Sequence, residues 1–77
     1  MTLRNARIGG RYTVNSIDLD QVTVRRLGAL GLTRGTDIML LHRNHGGSVV
    51  IMVRGSRLAI GKRFAECIEM EESRNAD

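Results

Sequence analysis

The segment that most constrains this chain is a helix exit followed by two glycines four residues apart. It spans residues 25–36 and reads RRLGALGLTRGT. Leu30 is expected to end a helix, because Gly31 can adopt the left-handed conformation that residues with a Cβ resist. Gly35 is then expected to open a tight turn into a strand. Since no catalytic group accompanies either glycine, the segment predicts a small β-barrel that is held together by glycine turns and whose function is binding.

Alternating and apolar runs on both sides of this segment predict a small β-barrel. We expect strands over residues 11–17, 37–43, 49–54 and 67–70, of which the third continues over 57–60 past a corner. A helix is expected over 21–30 and one helical turn over 61–66. Asp20 is placed to cap the helix, because its carboxylate can accept free backbone N–H groups of the first turn. Gly55 is expected to form a corner or bulge. The predicted fold class is mainly β with one or two short helices, an SH3-like small β-barrel.

Length and cysteine content restrict the class of protein further. The 77 residues fit one domain over 1–77, with its core in about 7–70 and a polar tail over 71–77. With one cysteine, Cys67, no internal disulfide can form, which fits a reducing cytosol. The N-terminus shows no apolar signal segment, and the longest purely apolar run covers only residues 49–53. We therefore expect a cytoplasmic protein without direct membrane insertion.

The charged residues are divided unevenly along the chain. Residues 1–63 carry eleven bases and three acids, a net charge of +8, whereas residues 64–77 carry one base and five acids, a net charge of −4. A basic body favours an acidic protein surface, nucleic acid or anionic lipid as partner, without choosing among them. Nearly all the bases are arginines, which suit bidentate pairing at interfaces.

Metal and thiol chemistry have only weak candidates. His42 and His45 lie three residues apart at the end of a predicted strand, but a zinc site needs three or four ligands. We therefore predict no metal site and no cofactor. Cys67, without a paired histidine motif, is expected to be a small buried hydrophobe.

Nucleic-acid binding by a small barrel combines a basic groove with aromatic stacking platforms. Tyr12 and Phe64 are the only aromatic residues, and Phe64 beside Ala65 and Ile68 is expected to belong to the core. The nucleic-acid signal is therefore weak. Apolar residues in the strands are in surplus, because Met39, Leu41, Val50 and Met52 cannot all point inward if their neighbours do. Such a surface marks an interface, either with a partner protein or in a homodimer.

The ordered pattern also resembles the FeoA family, the small ferrous iron transport protein A. The residues that carry the resemblance are Leu27, 30–32, 35–36, 53–55, 58–60, 62–63, Ala65 and Ile68. Together they cover about residues 7–70. Two positions depart from the pattern, since Arg34 stands where the family often has proline and the loop over 46–48 lacks a proline that is common there.

The resemblance implies a non-enzymatic cytoplasmic accessory of bacterial ferrous iron transport. Such a protein is expected to bind the FeoB-type membrane transporter, which has a cytoplasmic GTPase domain. The helix exit and the second glycine corner then supply the predicted partner-binding residues: Arg25, Arg26, Leu30, Leu32, Arg54 and Arg57. The alternative for Leu30 is a place in the core, because its helical face also carries Leu27. The alternative is a basic SH3-like module that binds nucleic acid or is associated with an iron-dependent repressor, whose C-terminal SH3-like domain resembles FeoA.

Overall fold

The computed structural model describes residues 1–73, which form one antiparallel sheet with short helices around it. The elements are a 3-10 turn Leu3–Asn5, β1 Arg11–Ile17, α1 Gln21–Ala29, β2 Asp37–Arg43, β3 Val49–Val53, β4 Ser56–Ile60, α2 Lys62–Ala65 and β5 Ile68–Glu72. The strand order is β4-β3-β2-β1-β5. Within the described residues β4 and β5 are the two edges of the sheet, so the barrel is partly open. The predicted mainly-β class with short helices is confirmed.

Helix α1 begins at the expected cap and ends in a defined glycine motif. The Asp20 carboxylate accepts the Thr23 backbone N–H at 3.1 Å and the Thr23 hydroxyl at 2.6 Å, and these hydrogen bonds lower the Asp20 pKa. At the other end Gly31 has φ +98°, as predicted. The Leu32 N–H donates to the Leu27 carbonyl at 2.9 Å, and the Gly31 N–H donates to the Gly28 carbonyl at 3.0 Å. These two bonds form a Schellman motif, which turns the chain back across the last helical turn.

The connection between β3 and β4 is a two-residue hairpin turn. Arg54 has φ +51° and Gly55 has φ +80°, and Val53 pairs with Ser56. Positive φ at both central residues is the pattern of a type I′ turn, whose twist matches that of the flanking strands. Gly55 therefore lies at a sharp turn that a side chain disfavours, as expected, but the predictions that Arg54 still belongs to the strand and that the strand continues past the turn are wrong. The chain reverses direction here instead of continuing along one bent strand.

The core is formed by inward-facing side chains of the strands and by residues from the helices and the N-terminal segment. Leu3 and Ala6 are fully buried, so the core reaches closer to the N-terminus than the predicted boundary near residue 7. At the other end β5 continues to Glu72, because Glu71 and Glu72 pair with β1. Part of the predicted polar tail over 71–77 is thus a strand, and residues 74–77 lie outside the described residues.

Candidate partner-binding surface

The predicted helix exit forms an exposed patch of two arginines and one leucine. Arg25 and Arg26 are exposed near the end of α1, and Leu30, the residue that caps it, is 55% exposed. The last carbonyl groups of a helix carry partial negative charge, so arginines stabilise this end. An exposed leucine beside arginines is a combination that protein interfaces favour.

Arg54 reaches the same patch from the β3–β4 turn. A Cβ atom added at Gly31 would lie 2.9 Å from the Cδ atom of Arg54, so the arginine side chain lies directly on this glycine. The approach needs a residue without a side chain at position 31. The structure therefore brings together residues from two segments that are more than twenty positions apart in the sequence.

The backbone at Arg54 is in a strained conformation. A non-glycine residue with φ +51° is uncommon, and asparagine is the preferred residue at this position of a type I′ turn. Strained positions of this kind concentrate at functional sites. An arginine here is therefore better explained by what its side chain does than by the requirements of the turn.

The arginines of this patch have no carboxylate partner in the described part of the chain. The two ion pairs there join the Met1 ammonium group to Glu69 at 3.4 Å and Arg4 to Glu66 at 3.0 Å. Neither pair includes Arg25, Arg26 or Arg54. Their charges are available to an acidic partner, and we call Arg25, Arg26, Leu30 and Arg54 the helix-exit surface.

Leu32 does not belong to this surface. Its side chain is fully buried and packs in the same core cluster as Leu27. The Schellman motif is the physical reason, because the residue after the left-handed glycine folds back against the last helical turn. The prediction that Leu32 contributes an exposed contact is wrong.

Arg57 lies elsewhere, on the outer face of the sheet. It pairs with Met52 across β3 and β4, and Met52 pairs in turn with Met39. The four surplus apolar residues all keep part of their surface exposed, as predicted: Met39, Leu41, Val50 and Met52. Beside them is a depression of about 220 Å³ lined by Arg11, Asp37, Ile38, Met39, Met52 and Arg54. Arg54 therefore borders both the helix exit and the outer face of the sheet.

The candidate metal and thiol residues are not assembled into a site among residues 1–73. His42 and His45 are both exposed, and no three His, Cys, Asp or Glu side chains in this range lie close enough to share a metal ion. Cys67 is half-buried rather than fully buried. The expectation that no metal is bound stays a prediction.

The two aromatic residues differ in exposure. Tyr12 is 2% exposed and its hydroxyl accepts the Arg7 backbone N–H at 2.8 Å. Phe64 is 42% exposed, so its assignment to the core is wrong. In the four-residue helix α2 only Ala65 is buried, which leaves the Phe64 ring outside. One exposed ring is less than the series of stacking platforms that single-stranded nucleic acids use.

Comparison with known proteins gives a consistent family assignment. The FeoA domain matches residues 1–72 of the chain. The protein named "Putative Fe(2+) transport protein A" of Methanocaldococcus jannaschii is 32% identical over 68 residues, covering 88% of this chain and 82% of that one. The solution structure of the FeoA protein from Chlorobium tepidum has a TM-score of 0.87 and 27% identity, covering 100% of this chain and 74% of that chain. This match confirms the SH3-like fold.

The manganese-activated repressor ScaR shares the fold at lower identity. The crystal structure of ScaR with bound Zn²⁺ has a TM-score of 0.83 and 22% identity, covering 95% of this chain but only 37% of the ScaR chain. At this identity the match shows a common fold alone. Among the described residues no helix is long and apolar enough to cross a membrane.

Proposed function

We propose a transport function for this chain, which belongs to the FeoA family: it is a cytoplasmic, non-enzymatic accessory of ferrous iron transport that binds the cytoplasmic region of a FeoB-type transporter. The name of the Methanocaldococcus jannaschii relative, "Putative Fe(2+) transport protein A", supports the link to iron. The family resemblance supports the choice of partner.

The observation that carries the proposal is the convergence at the helix-exit surface. Arg54 lies against Gly31 from a different segment and joins the exposed Leu30 and the two arginines of α1. Arginines without a carboxylate partner among residues 1–73 are expected to attract an acidic protein surface, which then buries the apolar anchor between them. Binding of this kind requires no catalytic group, cofactor or metal ion.

The proposal is tested with the double variant Arg25→Ala/Arg26→Ala. Both side chains are exposed, so the free energy of unfolding should change by less than about 0.5 kcal/mol. Affinity for the cytoplasmic region of a FeoB-type transporter, measured by calorimetry or interferometry, should fall at least about tenfold. The affinity of the variant should also depend less on salt concentration, because the variant lacks two exposed charges whose attraction salt would screen over about 8 Å at physiological ionic strength.

A matched control removes two charges at the other end of the sheet. Lys62 and Arg63 are both exposed, and the Cγ atom of Lys62 lies 3.0 Å from where a Cβ on Gly47 would be. This places Lys62 beside the β2–β3 loop, about 13 Å along β3 from the Arg54 turn. The variant Lys62→Ala/Arg63→Ala should bind the transporter as the wild type does.

Two results would contradict the proposal. Equal affinity of the folded Arg25→Ala/Arg26→Ala variant and the wild type would move the docking surface away from the helix exit. Tight binding to single-stranded DNA or RNA at physiological salt, with no binding to the transporter, would favour the alternative nucleic-acid function.

A further inference from the structure

Four residues on the outer face of the sheet form a straight row across four strands. Arg11 on β1 pairs with Met39 on β2, Met39 with Met52 on β3, and Met52 with Arg57 on β4. Directly opposed residues in antiparallel strands lie on the same face of a sheet. The flanking residues Tyr12, Ile38 and Val53 are buried, so the row faces outward. We call these four residues the arginine–methionine row.

The row places two cations at a fixed separation with apolar surface between them. Neighbouring strands are about 4.8 Å apart, so Arg11 and Arg57 are separated by about 14 Å along the sheet. The two methionines between them are half-buried. Methionine side chains are flexible and polarisable, and they adapt their shape to a partner. Neither arginine has an ion pair within residues 1–73.

The rows on either side differ in character. On one side Asp37, Thr13 and Glu71 form a row with two carboxylates, and the Thr13 hydroxyl donates to Asp37 at 2.6 Å. On the other side Val50 pairs with Ala59, which continues the apolar surface. An acidic partner is therefore attracted to the arginine–methionine row and repelled from the Glu71 end of the carboxylate row, whereas at the other end Arg54 lines the same depression as Asp37 and offsets its charge.

A second copy of the chain fits this row poorly. In an aligned face-to-face pairing of two sheets, arginine would be opposite arginine whichever way the second row ran. Like charges placed opposite one another across an interface destabilise it. A partner that carries carboxylates at both ends of an apolar stretch satisfies all four residues.

We propose that the arginine–methionine row binds a segment of the partner protein in which two acidic side chains flank an apolar one. The inference rests on the proposed function, because it takes the FeoB-type transporter as that partner. It adds a second part to the docking surface, which Arg54 joins to the helix exit, since Arg54 lines the depression that Arg11, Met39 and Met52 also line. In an extended segment, a separation of about 14 Å corresponds to acidic residues about four positions apart.

The test compares binding of three charge variants to the cytoplasmic region of the transporter. Arg11→Glu/Arg57→Glu reverses both ends of the row and should lower the affinity at least about thirtyfold. Lys62→Glu/Arg63→Glu makes the same change in net charge at an exposed site beside the β2–β3 loop and should lower the affinity less than about threefold. Should the reversed row fail to fold, Arg11→Gln/Arg57→Gln removes the charges without adding repulsion and should lower the affinity about tenfold.

The methionines provide a second readout. Met39→Ala/Met52→Ala should weaken binding about tenfold while leaving its salt dependence as in the wild type, because only apolar contact is lost. The arginine variants should weaken binding and reduce its salt dependence together. If the row had only a structural role, its variants would lower the melting temperature, and the arginine and methionine variants would not differ in the salt dependence of binding.

The outcomes separate the two proposals. If the wild type does not bind the transporter, the proposed function fails and the inference fails with it. If the wild type binds and Arg25→Ala/Arg26→Ala weakens binding while the folded row variants bind normally, the docking function stands and the inference is overturned. If both sets of variants weaken binding more than the Lys62→Glu/Arg63→Glu control, the two-part surface is supported.

Discussion

Replacing Gly31 by alanine tests the link between the helix exit and the β3–β4 turn. The substitution has two separate effects. First, alanine resists φ +98°, and a residue held in a sparsely populated backbone region costs about 1–3 kcal/mol. Second, the new Cβ would lie 2.9 Å from the Arg54 Cδ atom, so this flexible side chain must move away. We expect the first effect to govern stability and the second to govern partner binding.

Gly35 supplies the matched control for the backbone effect. It has φ +87°, but a Cβ there would meet no atom within 4 Å. Gly35→Ala should therefore destabilise the protein by a similar 1–3 kcal/mol, roughly, without displacing Arg54. For a domain of this size each 1 kcal/mol lowers the melting temperature by about 4–8 °C, so both losses are measurable.

The assay combines urea unfolding with binding to the cytoplasmic region of a FeoB-type transporter. Both variants should lose stability to a similar extent, but Gly31→Ala alone should lose affinity, at least about fivefold. In the background of Arg54→Ala, adding Gly31→Ala should cause no further loss of affinity, because the displaced side chain is already gone. Equal affinities of the two glycine variants would refute the reasoning that the Arg54 position at Gly31 matters for docking.

Three further predictions concern the core, the helix cap and metal ions. In urea titrations Leu32→Ala should lower the free energy of unfolding by about 2–5 kcal/mol, because Leu32 is buried, and exposed Leu30→Ala should lower it by less than about 0.5 kcal/mol. Equal losses would contradict this difference in burial. The pKa of Asp20 is lowered from 3.8 in the folded state, so its contribution is present above pH 3.8 and is lost as pH falls through the folded pKa. The Asp20→Asn variant should have the melting temperature of the wild type at neutral pH, and between about pH 4 and 2 its melting temperature should fall less than that of the wild type. An equal fall in both proteins would show that the Asp20 cap does not cause the loss of stability in acid. A chelator should leave the melting temperature unchanged, and a large fall would reveal a metal site that includes His42 or His45.

Local turn chemistry made much of the fold predictable from the sequence. The bounds of β1 and β2 were expected over 11–17 and 37–43 and are observed there. The caps of α1 at Asp20 and Gly31 were also predicted. These features depend on residues within a few positions of one another, so their physical causes can be seen in the sequence.

The wrong predictions concern features set by contacts between distant segments or by unusual turn residues. Leu32 follows a glycine in a run that looks like an exposed helix exit, and only the Schellman bonds show that it turns inward. The type I′ turn was not predicted, because arginine is uncommon at the first central position of such a turn. The Phe64 ring is exposed because only Ala65 of α2 is buried. Which side chain of this short helix faces the core depends on how the helix packs against the rest of the fold.

The exposed arginines and leucine of the helix exit were predictable from the sequence, but their arrangement with residues from other segments was not. Arg25, Arg26 and Leu30 were expected at the helix exit, and their exposure agrees with that expectation. Arg11 was not among the residues expected from the sequence, because its alignment with the two methionines depends on strand register. Register between β2 and β3 depends on hairpin and bulge geometry, and register between β1 and β2 depends on how the segment that contains α1 connects them; single-sequence patterns specify neither.

At position 54, the residue that would best stabilise the turn differs from the residue that would best bind a partner. The type I′ turn is better served by asparagine, and the strain of an arginine at φ +51° weakens the hairpin. The same arginine lies on Gly31 at the helix exit and borders the depression beside Met39 and Met52. A turn residue chosen for stability would leave these two exposed patches separate. The long cationic side chain instead joins them into one basic and apolar surface, which is what a partner with a broad acidic face requires.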